Sequence, residues 1–285
     1  MQRILVTGAN GLLGSYVCKF LKSKKYKVFK FKKNKVNLLK KKQSNNFFLK
    51  NKFNIILNLA AITNIDQCEK FNKKALNINT IFLKNIRYYS SLHNKECYLI
   101  HLSTDQFYSN YKSNSEGQKK CLNFYTKTKL LSEIYLKNTN SIILRTNFFG
   151  KSLKPTRKSF TDFIYYNLIN KNKINLVDDV KFSPISINTL KKVLLLIIKK
   201  KFTGIYNVGS KRGYSKFKFG IKFAEKLNLD KSLIIKKSIN DLKLLAKRPR
   251  DMRMIVTLFE KKFNFKFDNL DNELLKVIKY YEKKK

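Results

Sequence analysis

The order of apolar and polar positions predicts strands alternating with helices. The uninterrupted apolar run Ile4 to Val6 predicts a buried strand. Leu12, Leu13, Val17, Phe20 and Leu21 then recur at helical spacing. Residues 26–31 alternate and predict a second strand, and Phe53 to Leu59 a third. Between them, residues 34–52 are polar and rich in Asn and Lys, with Phe47, Phe48 and Leu49 as candidate anchors. A helical pattern runs from about Asp66 to Leu92 and breaks near Phe71–Asn72. Tyr98 to Asp105 predicts a fourth strand ending in polar groups, and residues 106–123 a loop. A helix through Leu136 and a strand over Ser141 to Thr146 follow. Such alternation implies a doubly wound parallel sheet. Beyond residue 150 the pattern is less regular. Helices are expected over Phe160 to Leu168, Thr189 to Ile198, Phe217 to Leu227 and Asn269 to Tyr281. Short strands are expected over Ile174 to Val177 and Gly204 to Val208, and Pro155, Pro184 and Pro249 should lie in loops.

The junction of the first strand and helix carries the first chemistry. Gly8, Gly11 and Gly14 stand three residues apart. Strand, glycine turn and helix together bring a dinucleotide pyrophosphate onto a helix N-terminus, because missing Cβ atoms admit the phosphates and free N–H groups face them. The spacing G-x-x-G-x-x-G differs from the G-x-G-x-x-G fingerprint, so a glycine turn without a ligand is the alternative. An acidic residue after the second strand would hold the ribose of NAD. Here Phe31, Lys32, Lys33 and Asn34 stand there. An ammonium pairs with a 2′-phosphate, so Lys32 tilts the reading to NADPH, with NADH open. The small residues Ala60, Ala61 and Thr63 after the third strand either leave room for a flat cofactor or serve tight strand–helix packing.

Tyr125 and Lys129 are spaced i, i+4 on a predicted helix and share one face. An ammonium beside a phenol stabilises the phenolate, which makes Tyr125 a proton donor and acceptor near neutral pH. Thr104, at a strand end, can bind the same substrate oxygen. In a chain with 15 Tyr, one Tyr-x-x-x-Lys means little alone. Its meaning lies in the order: glycine turn, Ser-Thr strand end, then Tyr-x-x-x-Lys.

Composition changes this picture little. The chain has 285 residues and a formal net charge of +44. Lysine is spread along the whole chain beside abundant Asn, Ile, Phe and Tyr, all read from A/T-rich codons. Compositional bias is therefore preferred to a nucleic-acid site, although the surface should attract small anions. Cys18, Cys68, Cys97 and Cys121 form no C-x-x-C pair, so buried or half-buried thiols are expected, with no metal site and no disulfide. His93 and His101 are expected to be structural. No stretch long enough for a membrane span and no signal peptide are read, so a cytoplasmic protein is expected.

Taken with Asn58-Leu-Ala-Ala-Ile-Thr63, Leu102-Ser-Thr-Asp-Gln-Phe107, Leu144-Arg-Thr-Asn-Phe-Phe-Gly150, Phe182-Ser-Pro-Ile185, Gly204-Ile-Tyr-Asn-Val-Gly209 and Arg248-Pro-Arg-Asp251, these motifs resemble the extended short-chain dehydrogenase/reductase family. The branch most resembled is that of dTDP-4-dehydrorhamnose reductase-like nucleotide-sugar enzymes. The resemblance implies an α/β, Rossmann-type NAD(P)-binding core over 1–150. A smaller, mixed substrate-binding region would cover 151–285, with 185–210 returning to the core. It implies a pyrophosphate held at Gly8, Asn10, Gly11, Leu12 and Gly14, and a nicotinamide half lined by Ala60, Ala61 and Thr63. Thr104 and Tyr125 would bind a sugar carbonyl, and Lys129 the nicotinamide ribose. Asp105, Phe148 and Arg248 would contact the nucleotide-linked sugar, Arg248 at its pyrophosphate. The implied activity is NADP(H)-dependent reduction of a 4-keto-6-deoxy nucleotide sugar for a surface polysaccharide, with a homodimer left open. Gln106 replaces the Glu base of the family's dehydratases, which disfavours dehydration. Phe148 stands where the reductase branch often has Trp, and Asn37 where an Asp near the adenine is expected. An epimerase of the same family and a non-catalytic cofactor-binding subunit are the alternatives.

Overall fold

The computed structural model describes residues 1–109, 114–154 and 156–282. Pro155 and residues 110–113 of the expected 106–123 loop lie outside the described residues. Six parallel strands form the main sheet among them. They are β1 (Arg3–Thr7), β2 (Lys27–Lys30), β3 (Ile55–Asn58), β4 (Tyr98–Leu102), β5 (Ser141–Thr146) and β6 (Gly204–Val208), in the order β2-β1-β3-β4-β5-β6. The chain leaves β1 for β2 on one side and then crosses to β3 on the other. That reversal opens a crevice at the carboxyl ends of β1 and β3, where doubly wound sheets bind ligands.

Both faces of the sheet are covered, which is why its inner strands read as continuous apolar runs. Ile4 and Val6 face the helices α1 (Leu12–Ser23), α8 (Ile187–Lys200) and α10 (Thr257–Phe263), meeting Leu13, Val17, Leu190, Leu194 and Phe259. Leu5 and Ile56 face the other side and meet Phe48 of α2 (Lys41–Lys50) and Leu83 and Ile86 of α5 (Phe82–His93). The polar stretch 34–52 thus hides a helix. Only Ser44 and Phe48 of α2 are buried, and no side chain caps its N-terminus. It docks through edge-on rings: Phe47 lies 5.1 Å from Phe48, and Phe48 6.4 Å from Phe53. Leu49 is exposed and anchors nothing.

The expected break at Phe71–Asn72 separates α3 (Ile65–Lys70) from α4 (Asn72–Leu76). A π-helical turn, Asn77–Ile81, then joins α4 to α5. Beyond β5, a second core gathers Phe149, Ile164, Phe219, Phe223, Leu270 and Leu274. These come chiefly from α7 (Phe160–Ile169), α9 (Lys216–Lys226) and α11 (Leu270–Ile278). Two-residue strands at Lys181–Phe182, Tyr214–Ser215 and Asp251–Met252 form a small sheet beside it. Cys18, Cys68 and Cys97 are buried free thiols, but Cys121 is exposed, contrary to the expectation of burial. Among the described residues, no helix is long and apolar enough to cross a membrane, and no cluster of His, Cys, Asp and Glu is arranged to hold a metal ion.

Candidate active site

The glycine turn follows β1 into the crevice. Gly8 has φ +64°, and a Cβ there would lie 2.7 Å from the Leu59 carbonyl. A Cβ on Gly14 would lie 2.2 Å from the Gly8 carbonyl oxygen. The two glycines let β1, α1 and the chain after β3 converge at backbone distance. Gly11 caps α1 without a side chain, and no acidic residue stands in the first turn. The N-terminus of α1 therefore offers unscreened N–H groups to an anion. Asn10 is exposed, Leu12 half-buried, and Lys32 exposed at the end of β2. Ala60 and Ala61 are half-buried on the far wall and Thr63 is exposed. These residues fit a dinucleotide: a cradle that side chains would fill, a helix N-terminus beside it, and an exposed cation just after β2.

The second half of the site is built by α6 (Phe124–Leu136). Asn123 and Thr126 close a capping box at its start. The Phe124 N–H donates to Glu69 of α3 at 2.9 Å, and Asn123 Nδ2 to the Lys247 carbonyl at 2.8 Å. Tyr125 is thus fixed one residue inside a three-way junction. Lys129, one turn on, is 1 % exposed. A buried ion pair holds the next turn. Arg145 of β5 donates to both oxygens of Glu133, at 3.0 and 2.7 Å, and Ser103 to Glu133 at 2.5 Å. Burial works against the Arg145 charge, but Glu133 outweighs it and raises its pKa.

Asn79, in the π-helical turn, makes a further clamp. Its carbonyl accepts from Ile62 N at 2.8 Å, and its amide donates to Ile62 O at 3.1 Å and to Thr128 Oγ1 at 3.0 Å. It couples the Ala60–Thr63 wall to α6. π turns recur at functional sites. A helical pattern read at 3.6 residues per turn does not reveal one.

Thr104, Asp105 and Tyr125 converge at the end of β4, all buried. The Thr104 side chain faces the Tyr125 phenol and favours its charged form. Burial, and then the nearby Asp105 charge, push the Tyr125 pKa up, against the Thr104 contribution. This corrects the expectation that Lys129 lowers it. In this structure the Lys129 ammonium is engaged at β4, donating to Leu102 O at 2.7 Å and lying 3.1 Å from His101 Nε2. Burial brings the Lys129 pKa down to about 8, against the pull of Glu133.

Asp105 accepts from Asn147 Nδ2 at 2.9 Å, and burial raises its pKa to about 6 although Lys216 opposes the shift. Lys216, half-buried at the start of α9, also feels the positive charge of Arg248. No motif marked Lys216, since it arrives from the second core. Arg248 sits beside this group but is engaged, pairing with Asp66 at 2.9 Å and with Ala246 O at 2.8 Å. Phe148 is half-buried, in a strand pair with Ile185–Ser186. Asn37 is exposed, and its side chain accepts from Leu39 N at 3.0 Å.

Comparison with known proteins shows the family and the fold. The model of the RmlD substrate binding domain family matches residues 1–283. The chain is 29% identical to the spore coat polysaccharide biosynthesis protein SpsK of Bacillus subtilis, over 82% of each chain. It is 26% identical to dTDP-4-dehydrorhamnose reductase of Aggregatibacter actinomycetemcomitans, covering 99% of this chain and 100% of that one. In fold it is similar to dTDP-4-dehydrorhamnose reductase of Bacillus anthracis, solved in complex with NADP. That match has a TM-score of 0.90 and 23% identity, over 98% of this chain and 100% of the other. The chain belongs to the RmlD substrate binding domain family of extended short-chain dehydrogenase/reductases, and is an NAD(P)-dependent oxidoreductase of that family.

Proposed function

We propose that the protein reduces the 4-keto group of a dTDP-linked 6-deoxy sugar with NADPH, in the making of a surface polysaccharide. The observation that carries this reading is the convergence of Thr104, Tyr125 and Lys129 beside a glycine-lined crevice, on a chain matched by the RmlD family model almost end to end. When bound, the dinucleotide supplies a hydride. Gly8, Gly11 and Gly14, with the N–H groups of Asn10 and Leu12, hold its pyrophosphate. Lys32 pairs with a 2′-phosphate, and Ala60, Ala61 and Thr63 line the nicotinamide half. Thr104 and Tyr125 bind the sugar carbonyl oxygen, and Tyr125 gives that oxygen its proton. Lys129, held at Leu102 O, would give its remaining N–H groups to the nicotinamide ribose and, from the same helix face as the phenol, would favour release of the proton. Asp105, Phe148, Lys216 and Arg248 face the sugar nucleotide. Gln106, an amide, cannot remove a proton as a dehydratase base does, which favours reduction.

The test follows NADPH absorbance with enzymatically prepared dTDP-4-keto-6-deoxy-L-mannose, repeated with NADH. Substrate-dependent oxidation, faster with NADPH, is expected. Tightly held NAD with sugar inversion and no net oxidation would replace this reading with the epimerase.

A further inference from the structure

A row of polar side chains crosses three buried strands where apolar residues would pack. Thr7 of β1 pairs in register with Asn58 of β3, and Asn58 with His101 of β4. All three are at most 2 % exposed. The row begins beside Gly8 and ends against Lys129, so it joins the two halves of the site.

Its hydrogen bonds have one consistent direction. Thr7 Oγ1 accepts from the N–H groups of Leu59 and Ala60, each at 3.2 Å. Its own proton therefore goes to Asn58 Oδ1, at 2.6 Å. That fixes the Asn58 amide, whose Nδ2 faces His101 Nδ1 at 3.0 Å and donates to it. His101 Nδ1 is thus an acceptor. Full burial, and then the Lys129 charge, hold the imidazole pKa well below its ordinary value, so the ring is neutral and its proton sits on Nε2. Ser132 Oγ, 3.2 Å from Nε2, donates to Lys129 O at 2.6 Å and so receives the Nε2–H. The same N–H points toward Lys129 Nζ, 3.1 Å away.

We infer that His101 is a positioning residue for Lys129: the Thr7–Asn58–His101 row locks its Nε2–H tautomer and presents a donor, not an acceptor, to the lysine. An ammonium gains nothing from a donor. Among the described residues Lys129 finds Leu102 O as its acceptor on this side, so its remaining N–H groups face the crevice and its proton is held loosely. The charged and titratable groups around Lys129 are His101 on β4, Tyr125 and Glu133 on its own helix, and Arg145 on β5 behind Glu133. Glu133 is bound by Arg145 and Ser103, so His101 is the neighbour whose polarity a single substitution can reverse. Asn58→Asp does this. The carboxylate takes a proton on Nδ1, and Nε2 becomes an acceptor for Lys129.

The inference rests on the reductase reading for its catalytic consequence but not for the tautomer. Long-range proton–nitrogen spectra of the full chain labelled with ¹⁵N-histidine decide the tautomer. With two histidines in the chain, His93→Gln assigns the signals. A neutral imidazole protonated on Nε2 is expected for His101, moving to Nδ1 in Asn58→Asp. A proton on Nδ1 in the unaltered protein, or an imidazole that charges between pH 6 and 8, would overturn it. The second readout is the alkaline limb of kcat/KM for reduction, expected near the Lys129 pKa. Asn58→Asp should move it up by about one pH unit. His101→Met, which deletes the donor at similar volume, should move it the same way if Asn58→Asp does not fold. A limb that stays in place would show that His101 serves packing alone. Absence of turnover would refute the reductase reading and leave the nitrogen spectra to stand by themselves.

Discussion

The glycine turn after β1 and the polar end of β4 lie in one crevice but are made in opposite ways. The turn is local: Gly8, Gly11 and Gly14 lie within seven consecutive residues, and backbone alone shapes the cradle. The proposed catalytic group is assembled from afar. Tyr125 is fixed through Glu69 and Lys247, Lys129 through Leu102, and Glu133 through Arg145 and Ser103. A local motif binds by shape and tolerates changes elsewhere. A site aimed by distant partners depends on burying charge correctly and has more ways to fail.

That difference is sharpest at the Glu133–Arg145 pair. Glu133→Ala leaves a guanidinium buried and unmatched, and should lower stability by about 3–5 kcal/mol, read as a fall in the urea midpoint. An equal loss from Lys32→Ala, at the exposed end of β2, would contradict the contrast. Tyr125→Phe should lower kcat about 10²–10⁴-fold while NADPH affinity, measured by calorimetry, stays within a few-fold. If binding falls with turnover, the phenol is part of the cradle and the two halves are not separable.

Asp105 gives a pH-dependent test. Its folded pKa, about 6, lies above the ordinary 3.8, so the folded state holds the proton more tightly than the unfolded chain. Stability from this group is greatest below about pH 4 and is lost as pH rises through 6. The loss is on the order of 2–3 kcal/mol. Asp105→Asn should remove that slope, seen as the difference between the two proteins in denaturant midpoints from pH 4 to 7. Lys32→Ala is the smallest effect. It should weaken NADPH several-fold and NADH hardly at all, about 1 kcal/mol for an exposed charge. Equal changes for both cofactors would remove Lys32 from the 2′-phosphate.

The same contrast explains what the sequence made legible. β1, β3, β4 and β5 were readable because buried parallel strands are continuous apolar runs, and α6 because its apolar spacing survives between Tyr125 and Leu136. α2 was not, since its buried face is only Ser44 and Phe48, with a single apolar residue to mark it. The six-strand order was not legible either, because nothing local says on which side of β1 the third strand lands. In the site, the glycines and the Tyr125–Lys129 pair follow from spacing. Lys216, Asn79 and the role of His101 do not, because each acts across more than fifteen residues of chain, on partners that only the fold brings near. Spacing also misjudged the phenol: i, i+4 puts Lys129 on the face of Tyr125, but the ammonium finds a better acceptor in Leu102 O.

The most direct measurement uses NADPH carrying deuterium at both nicotinamide C4 positions, with dTDP-4-keto-6-deoxy-L-mannose. Mass spectrometry and proton spectra should find one deuterium per product, at sugar C4, with none entering from heavy water at that carbon. Product without label at C4, or no product while NADPH is bound, would contradict the assignment of this crevice to carbonyl reduction.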